Sequence, residues 1–133
     1  MRFFENGSKL EGFFKNGAVE GQAIVYLENG MKSKKGFYKN NKLNGFGKVY
    51  YNNGRVMYQG SFKDDKFCGQ GDLYNDIGQV IYNGNFQNGF FDGFGKKLYT
   101  TGSEYEGFWK NGRRDGTGKL KKLDGSELDG DWL

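Results

Sequence analysis

Residues 105–125 read YEGFWKNGRRDGTGKLKKLDG, and residues 58–78 read YQGSFKDDKFCGQGDLYNDIG, with glycines and rings at the same spacing. The pattern recurs along the chain, and its first glycines are separated by 24, 24, 24, 23 and 23 residues. A period of this length is typical of repeat proteins, in which each unit buries surface against its neighbours. The spacing therefore predicts an array of similar units.

Three glycine columns are the expected structural anchors of these units. The first column is Gly12, Gly36, Gly60, Gly84 and Gly107. The second is Gly21, Gly45, Gly69, Gly93 and Gly116. The third is Gly47, Gly71, Gly95 and Gly118, with Ala23 in the first unit. We expect one repeat domain over 1–133, with units starting near 10, 34, 58, 82 and 105 and partial units at 1–9 and 128–133.

Alternation with a period of two predicts strands. Tyr58, Gly60 and Phe62 would share one face of a strand, and Gly69, Gly71 and Leu73 would share one face of the next. Pairing the two as a hairpin would place large rings over bare glycines. Asn-Gly occurs eight times, and near the expected turns it is favourable hairpin chemistry. Asp64-Asp65 is likewise interpreted as a turn.

The predicted fold is all-β: an elongated, twisted, single-layer antiparallel sheet, or solenoid, of successive β-hairpins. A two-layer sandwich would need a thick aliphatic face, and Val, Ile and Leu are scarce here.

The two quoted runs resemble MORN (membrane occupation and recognition nexus) repeats, whose consensus is close to YEGxWxxGxxxGxGxxxxxxG. The resemblance extends from about residue 10 to residue 133 and is weaker in the first two units, where Leu10 and Lys34 replace tyrosine. It implies a sheet of successive hairpins that acts as a scaffold or docking surface. For some members it also implies lipid binding.

Composition argues against catalysis and against a bound cofactor. The chain has no histidine and a single cysteine, Cys68, which excludes histidine acid/base systems and multi-cysteine metal cages. The net charge is +4, no apolar run could span a bilayer, and the start lacks a signal peptide pattern. We therefore expect a non-catalytic intracellular protein with no transmembrane segment and no nucleic-acid partner.

Aromatic residues supply the candidate partner-binding positions. They are Phe13, Phe37, Phe46, Tyr50, Tyr74, Phe94, Tyr105, Phe108, Trp109 and Trp132. Sheet cohesion through cross-strand ring pairs is one interpretation, and an exposed strip that docks a peptide or helix is the other. A groove lined by Tyr105, Trp109 and Trp132 is a further possible anchor site.

Charge supplies the alternative function, binding of acidic phospholipids or phosphoinositides. Six basic residues cluster near the C-terminus: Lys110, Arg113, Arg114, Lys119, Lys121 and Lys122. They could contact lipid headgroups or form a solvated face beside the acidic segment that follows. The leading hypothesis is a scaffold for a protein partner. Self-association through sheet edges and a bacterial antitoxin-like repeat protein are further alternatives.

Overall fold

The computed structural model describes residues 2–3 and 6–132, without the side chains of Arg2, Asp131 and Trp132. Phe4 and Leu133, which the sequence assigns to the end segments, lie outside the described residues. Twelve strands are formed: β1 Arg2–Phe3, β2 Lys9–Lys15, β3 Ala18–Tyr26, β4 Lys32–Lys39, β5 Lys42–Tyr50, β6 Val56–Lys63, β7 Lys66–Tyr74, β8 Val80–Gln87, β9 Phe90–Leu98, β10 Glu104–Lys110, β11 Arg113–Lys121 and β12 Glu127–Trp132.

These strands form one open antiparallel sheet in which the spatial order follows the chain order. At a strand spacing of about 4.8 Å, the eleven steps from β1 to β12 extend the sheet by about 53 Å. The described residues form strands and turns, with no helix and no second sheet. The all-β, single-sheet prediction is confirmed.

Two-residue turns close the hairpin inside each unit. They are Asn16-Gly17, Asn40-Asn41, Asp64-Asp65, Asn88-Gly89 and Asn111-Gly112. Both residues of every pair have positive φ, between 49° and 85°, as a type I′ turn requires. The interpretation of Asp64-Asp65 as turn chemistry is confirmed.

The second residue of a turn also ties its hairpin to the preceding one. The Asn41 N–H donates to the Val19 carbonyl at 3.2 Å, and the Val19 N–H donates to Asn41 Oδ1 at 2.9 Å. Asp65 makes the same two contacts with Leu43, at 3.0 and 2.8 Å. In the next two units a glycine occupies this position and makes the backbone bond. Adjacent units are therefore joined at the turn edge as well as along the strands.

One face of the sheet, which we call the core face, is buried without a covering layer. Tyr58, Tyr82 and Tyr105 on this face are 0% exposed. Each ring lies over the third-column glycine of its own hairpin: a Cβ on Gly71 would lie 2.5 Å from Cε1 of Tyr58. The glycines let the rings lie close to the backbone, and the prediction of rings over bare glycines is confirmed for this column.

Ring contacts connect the units along the core face. The Phe67 ring stacks on Tyr58 with centroids 3.8 Å apart, and Phe91 stacks on Tyr82 at 3.9 Å. Phe86 meets Tyr58 and Tyr82 edge-on, at 5.3 and 4.9 Å. Such pairs stabilise beyond their buried area, by about 1 kcal/mol each. The core is thus a row of rings in which each unit contacts the next.

The second glycine column corrects part of the sequence interpretation. In the β6–β7 hairpin, Gly60 pairs with Gly71 and Phe62 pairs with Phe67, so β7 carries a bulge. Gly69 lies in this bulge with a φ of 91°, a conformation that glycine adopts without strain. A Cβ there would lie 3.2 Å from Cβ of Ser61 on the opposite face. Gly69 therefore does not share the face of Gly71 and Leu73.

Candidate binding face

The second face of the sheet, which we call the exposed face, carries phenylalanines that are open to solvent. Phe13 is 66% exposed and Phe46 is 60% exposed. Within the described residues the set is Phe3, Phe13, Phe37, Phe46, Phe90, Phe94 and Phe108. The solvent side of an antiparallel sheet is usually polar, so this content requires an explanation.

Five of the exposed phenylalanines fall into two groups. Phe94 and Phe108 lie opposite each other on β9 and β10, with ring centroids 5.5 Å apart and nearly perpendicular planes. A polar stretch separates them from the N-terminal group of Phe13, Phe37 and Phe46. In this stretch Gln70 Nε2 donates to Asn85 Oδ1 at 2.9 Å. The contact between Phe94 and Phe108 is therefore a cross-strand ring pair, which is the first of the two interpretations of the aromatic positions.

Each group borders a shallow hollow. Phe13, Phe37 and Gly21 line a hollow of about 570 Å³ at the N-terminal group. Phe94 and Phe108 line one of about 430 Å³ at the C-terminal group. Both hollows are open to solvent, so they suit side chains of a docked surface better than an enclosed small molecule.

Tyr50 and Tyr74, two more candidate positions, are half-buried near the longer turns. The Tyr74 hydroxyl accepts a hydrogen bond from Gln59 Nε2 at 3.1 Å, and its backbone carbonyl accepts one from the Tyr51 hydroxyl at 2.6 Å. Burial raises the pKa of Tyr50, and burial followed by the nearby Asp72 raises the pKa of Tyr74. The bond from Tyr51 gives Tyr74 a part in joining neighbouring hairpins, and the bond from Gln59 lies within the β6–β7 hairpin.

Tyr105 and Trp109 lie on the core face, which corrects the expectation of an open groove. They are 0% and 4% exposed, and their rings meet edge-on at 5.1 Å. Trp109 Nε1 also donates to the Gly95 carbonyl at 3.0 Å. The Trp132 side chain lies outside the described residues, although its backbone belongs to β12. Tyr105 and Trp109 are therefore core residues and present no open ring surface to a partner.

The C-terminal basic residues do not form one patch. Arg114 lies on the core face, where its guanidinium carbon is 5.4 Å from the centroid of Tyr105. It occupies the column that holds Phe67 and Phe91 in earlier units. Lys119 is on the exposed face and forms an ion pair with Glu127 at 3.2 Å.

The remaining basic residues of this segment are also separated. Lys110 and Arg113 pair across the last two-residue turn, at one edge of the exposed face. Lys121 lies at the other end of β11, in register with Glu104 and near the acidic strand β12. Lys122 begins the next turn, where its N–H donates to the Ser126 carbonyl. The run that is compact in sequence is therefore spread over both ends of a strand and both faces.

Sequence reasoning missed a different set of lysines. Lys39 pairs with Lys42, and Lys63 pairs with Lys66, directly beside their two-residue turns and on the exposed face. All four are exposed. The signal was present in the segments KNNK at 39–42 and KDDK at 63–66, because residues flanking a type I′ turn point to one face.

The glycine-patterned hairpins and the single open sheet define the class of this protein: a β-hairpin repeat protein with one core face and one exposed face. The model of the MORN repeat matches residues 35–54, 58–79, 82–104 and 105–127, which is more than half of the chain. The chain belongs to the MORN-repeat family. Repeats of this kind take part in protein–protein or membrane–lipid interactions.

No curated protein matches the chain. Within residues 2–3 and 6–132, no helix is long and apolar enough to cross a membrane.

Proposed function

We propose that this chain is a non-catalytic scaffold that binds a protein partner along its exposed face, as part of a larger assembly. The observation that carries the proposal is the set of solvent-exposed phenylalanines on a sheet whose fold depends on the other face. Removing such rings from water on docking would contribute binding free energy at about 25 cal/mol per Å² of apolar area, offset by the costs of association.

Variation among units supports a binding role for the exposed face. The position after the first-column glycine is Phe13, Phe37, Ser61, Asn85 and Phe108 in successive units. The hairpin forms with each of these side chains, so phenylalanine is not required for the fold. The absence of histidine and the single cysteine in the sequence support the non-catalytic part of the proposal.

The alternative is a peripheral module that binds acidic phospholipids. The exposed lysines beside the two-residue turns favour it, since they share a face with the phenylalanines. Lipid binding of this kind would depend on lysine charge and weaken steeply with salt.

An affinity purification from the native cells tests the proposal. The bait is the full tagged chain, compared with a variant carrying Phe13→Ser, Phe37→Ser, Phe94→Thr and Phe108→Ser. These replacements copy Ser61 and Thr117 from equivalent positions, and circular dichroism verifies that the variant folds. We expect a stoichiometric protein with the wild-type bait and its loss with the variant.

Two outcomes would oppose the scaffold proposal. Equal recovery of the same proteins by both baits would show that the exposed face is not the docking surface. Recovery of the bait alone, together with salt-sensitive sedimentation on vesicles of phosphatidylcholine and phosphatidylserine, would favour the lipid module.

A further inference from the structure

The β4–β5 hairpin places phenylalanines between lysines on the exposed face. Along β4, Lys35, Phe37 and Lys39 alternate onto this face. On β5, Phe46 is followed on the same face by Lys48. Phe13 lies two strands away on β2, in line with Phe37 across the sheet. We call Phe13, Phe37 and Phe46 the N-terminal strip.

The lysines around the N-terminal strip form no ion pairs with the described residues. Within residues 2–3 and 6–132, ion pairs join Lys96 to Glu104 and Lys119 to Glu127, both in the C-terminal half. Lysines 15, 35, 39, 42 and 48 make no ion pair among these residues. The acidic residues near this surface include Glu11, Glu20 and Asp64. Glu20 accepts a hydrogen bond from the Asn40 N–H at 3.2 Å, and Asp64 accepts one from Asn44 Nδ2 at 3.3 Å. The surface around the strip is therefore positively charged.

The dimensions of the strip suit an α-helix. Lys35 and Lys39 are four residues apart, so the lysine rows stand about 13 Å apart on either side of the phenylalanines. An α-helix with its side chains is about 10–12 Å wide, so one laid across the strands would fill this gap. Its lower surface would meet the rings, and over β4 and β5 both of its flanks would face lysines. Over β2 one flank would face Lys15 and the other Glu11, which is in line with Lys35 through Ile24. An extended strand is narrower and would reach one lysine row at a time.

The spacing of the rings also matches helical repeats. Phe13 and Phe37 are two strand steps apart, about 9.6 Å, and Phe46 is one step further. At a rise of about 1.5 Å per residue, these intervals correspond to about six and three residues of helix. The nearest intervals that keep residues on one apolar stripe are seven residues, about 10.5 Å, and three or four residues, about 4.5–6 Å, which are close to the ring spacings.

We infer that the N-terminal strip binds an amphipathic α-helix of a partner protein, one whose apolar stripe is flanked on both sides by acidic residues. The inference rests on the proposed scaffold function and names the chemistry of its partner. Opposite charge on both flanks sets the orientation and speeds encounter, while the buried rings carry most of the affinity.

A flat bilayer fits this surface less well. Adjacent strands of a sheet rotate by about 20–25° each, so the face turns through about 60–75° between β2 and β5. If the bilayer surface contacted the sheet at Phe37, the part of the sheet around Phe13 would be tilted away from the bilayer. A helix that crosses the strands can present a new side chain at each step and follow the rotation.

Fluorescence anisotropy with a designed probe tests the inference on the full chain. The probe is a labelled, stapled helix of about 18 residues with leucines along one stripe and glutamates on both flanks. A second probe has lysine in place of glutamate. We expect binding of the acidic probe that weakens when salt rises from about 50 to about 500 mM, and no binding of the basic probe.

Variants copied from equivalent positions of the chain locate the site. Phe37→Ser copies Ser61 and Phe46→Gln copies Gln70, and each should weaken binding of the acidic probe about tenfold or more. Lys39→Gln should weaken it by about fivefold and reduce the salt dependence. Lys63→Gln removes the same charge beside the neighbouring two-residue turn, outside the strip, and should leave the affinity within about twofold.

Equal affinity for both probes, or an unchanged affinity in Phe37→Ser and Phe46→Gln, would overturn the inference. So would a chain that ignores the acidic helix but binds phosphatidylserine vesicles through the same residues. The scaffold proposal is tested separately: if a native partner is lost only on Phe94→Thr and Phe108→Ser, the scaffold stands and the N-terminal strip is not its site.

Discussion

Replacing Gly95 with alanine should destabilise the protein, because the Tyr82 ring occupies the space of the new methyl group. A Cβ on Gly95 would lie 2.8 Å from Cε1 of Tyr82 and closer still to Cζ and the hydroxyl oxygen. Carbon atoms prefer separations of about 3.5–4.0 Å, so the ring must move by about 1 Å. Tyr82 is fully buried between Phe91 and Trp109, which leaves it little room to do so.

The magnitude follows from the contacts that the movement disturbs. Overpacking a tight core costs about 1–3 kcal/mol. The hydrogen bond from the Tyr82 hydroxyl to the Asn85 carbonyl, 2.8 Å long, would be lost at about 1 kcal/mol. Alanine offsets about 0.5–1 kcal/mol through its lower unfolded-state entropy. We expect Gly95→Ala to lower the free energy of unfolding by about 2–3 kcal/mol.

The first unit shows how the defect can be relieved. There Leu10 replaces the tyrosine and Ala23 replaces the glycine, and both side chains are buried. Tyr82→Leu alone loses ring stacking and leaves a void, for about 2–3 kcal/mol. The double variant Tyr82→Leu/Gly95→Ala should cost no more than Tyr82→Leu alone, because the methyl group then fills the space of the ring. The coupling between the two substitutions is therefore about 2–3 kcal/mol.

Equilibrium unfolding in urea, followed by circular dichroism and tryptophan fluorescence, measures these free energies. Gly130→Ala is the control, since a Cβ on this strand glycine meets no atom within 4 Å and its φ is not in the left-handed region. It should change stability by less than about 0.5 kcal/mol. The cost of the double variant could instead equal the sum of the two single costs within about 0.5 kcal/mol. That result would refute the conclusion that Gly95 is needed to leave space for the Tyr82 ring.

Three further predictions concern the turns and the core face. Asp65→Ala should lower the free energy of unfolding by about 2 kcal/mol, because it removes the hydrogen bond from the Leu43 N–H and places alanine at a φ of 69°. Asp65→Asn keeps an acceptor oxygen and a residue that tolerates positive φ, so thermal unfolding should show almost no change. Burial, with a smaller contribution from Asp65, raises the pKa of Tyr38 to about 12, so the unfolded state loses this proton from about pH 10 upward while the native state retains it. Stability should therefore fall between those values by about 1.4 kcal/mol per pH unit for this residue, and Tyr38→Phe should reduce that slope in urea titrations at stepped pH. Arg114→Ala should lower the urea midpoint by the equivalent of about 1 kcal/mol through loss of the contact with Tyr105, and Arg114→Phe should restore it; equal midpoints for both variants would argue against stacking.

The hairpins, the single layer and the rings over third-column glycines were predictable, because each follows from local rules. Alternation fixed the shared face of Tyr58, Gly60 and Phe62, and positive-φ residues fixed the turns. These signals repeat in every unit, so a weak match in one unit was supported by the others. The two-residue turn at Asp64-Asp65 followed from the same reasoning without an Asn-Gly pair.

What the sequence did not predict depends on conformations that break the alternation or on contacts between units. The bulge in β7 turns Gly69 away from the face that strict alternation predicts for it, and alternation alone does not reveal a bulge. Tyr105 is fully buried in a single-layer sheet because the glycines of the facing strand have no side chain and let its ring lie close to the backbone. The division of the basic segment between faces, by contrast, follows ordinary alternation and was predictable, because Arg114 and Lys119 are an odd number of residues apart in one strand.

The chain-order arrangement of the strands determines how this protein would respond to mechanical load. Because each strand pairs only with its sequence neighbours, tension applied between β2 and β11 acts across the strands and opens one row of hydrogen bonds at a time. A unit of 24 residues released in this way adds about 80 Å of extended chain. The repeats before and after it keep their own hairpins, since their contacts are with nearest neighbours. Under tension the array would therefore lengthen in unit-sized steps, which makes it an extensible link and not a stiff strut.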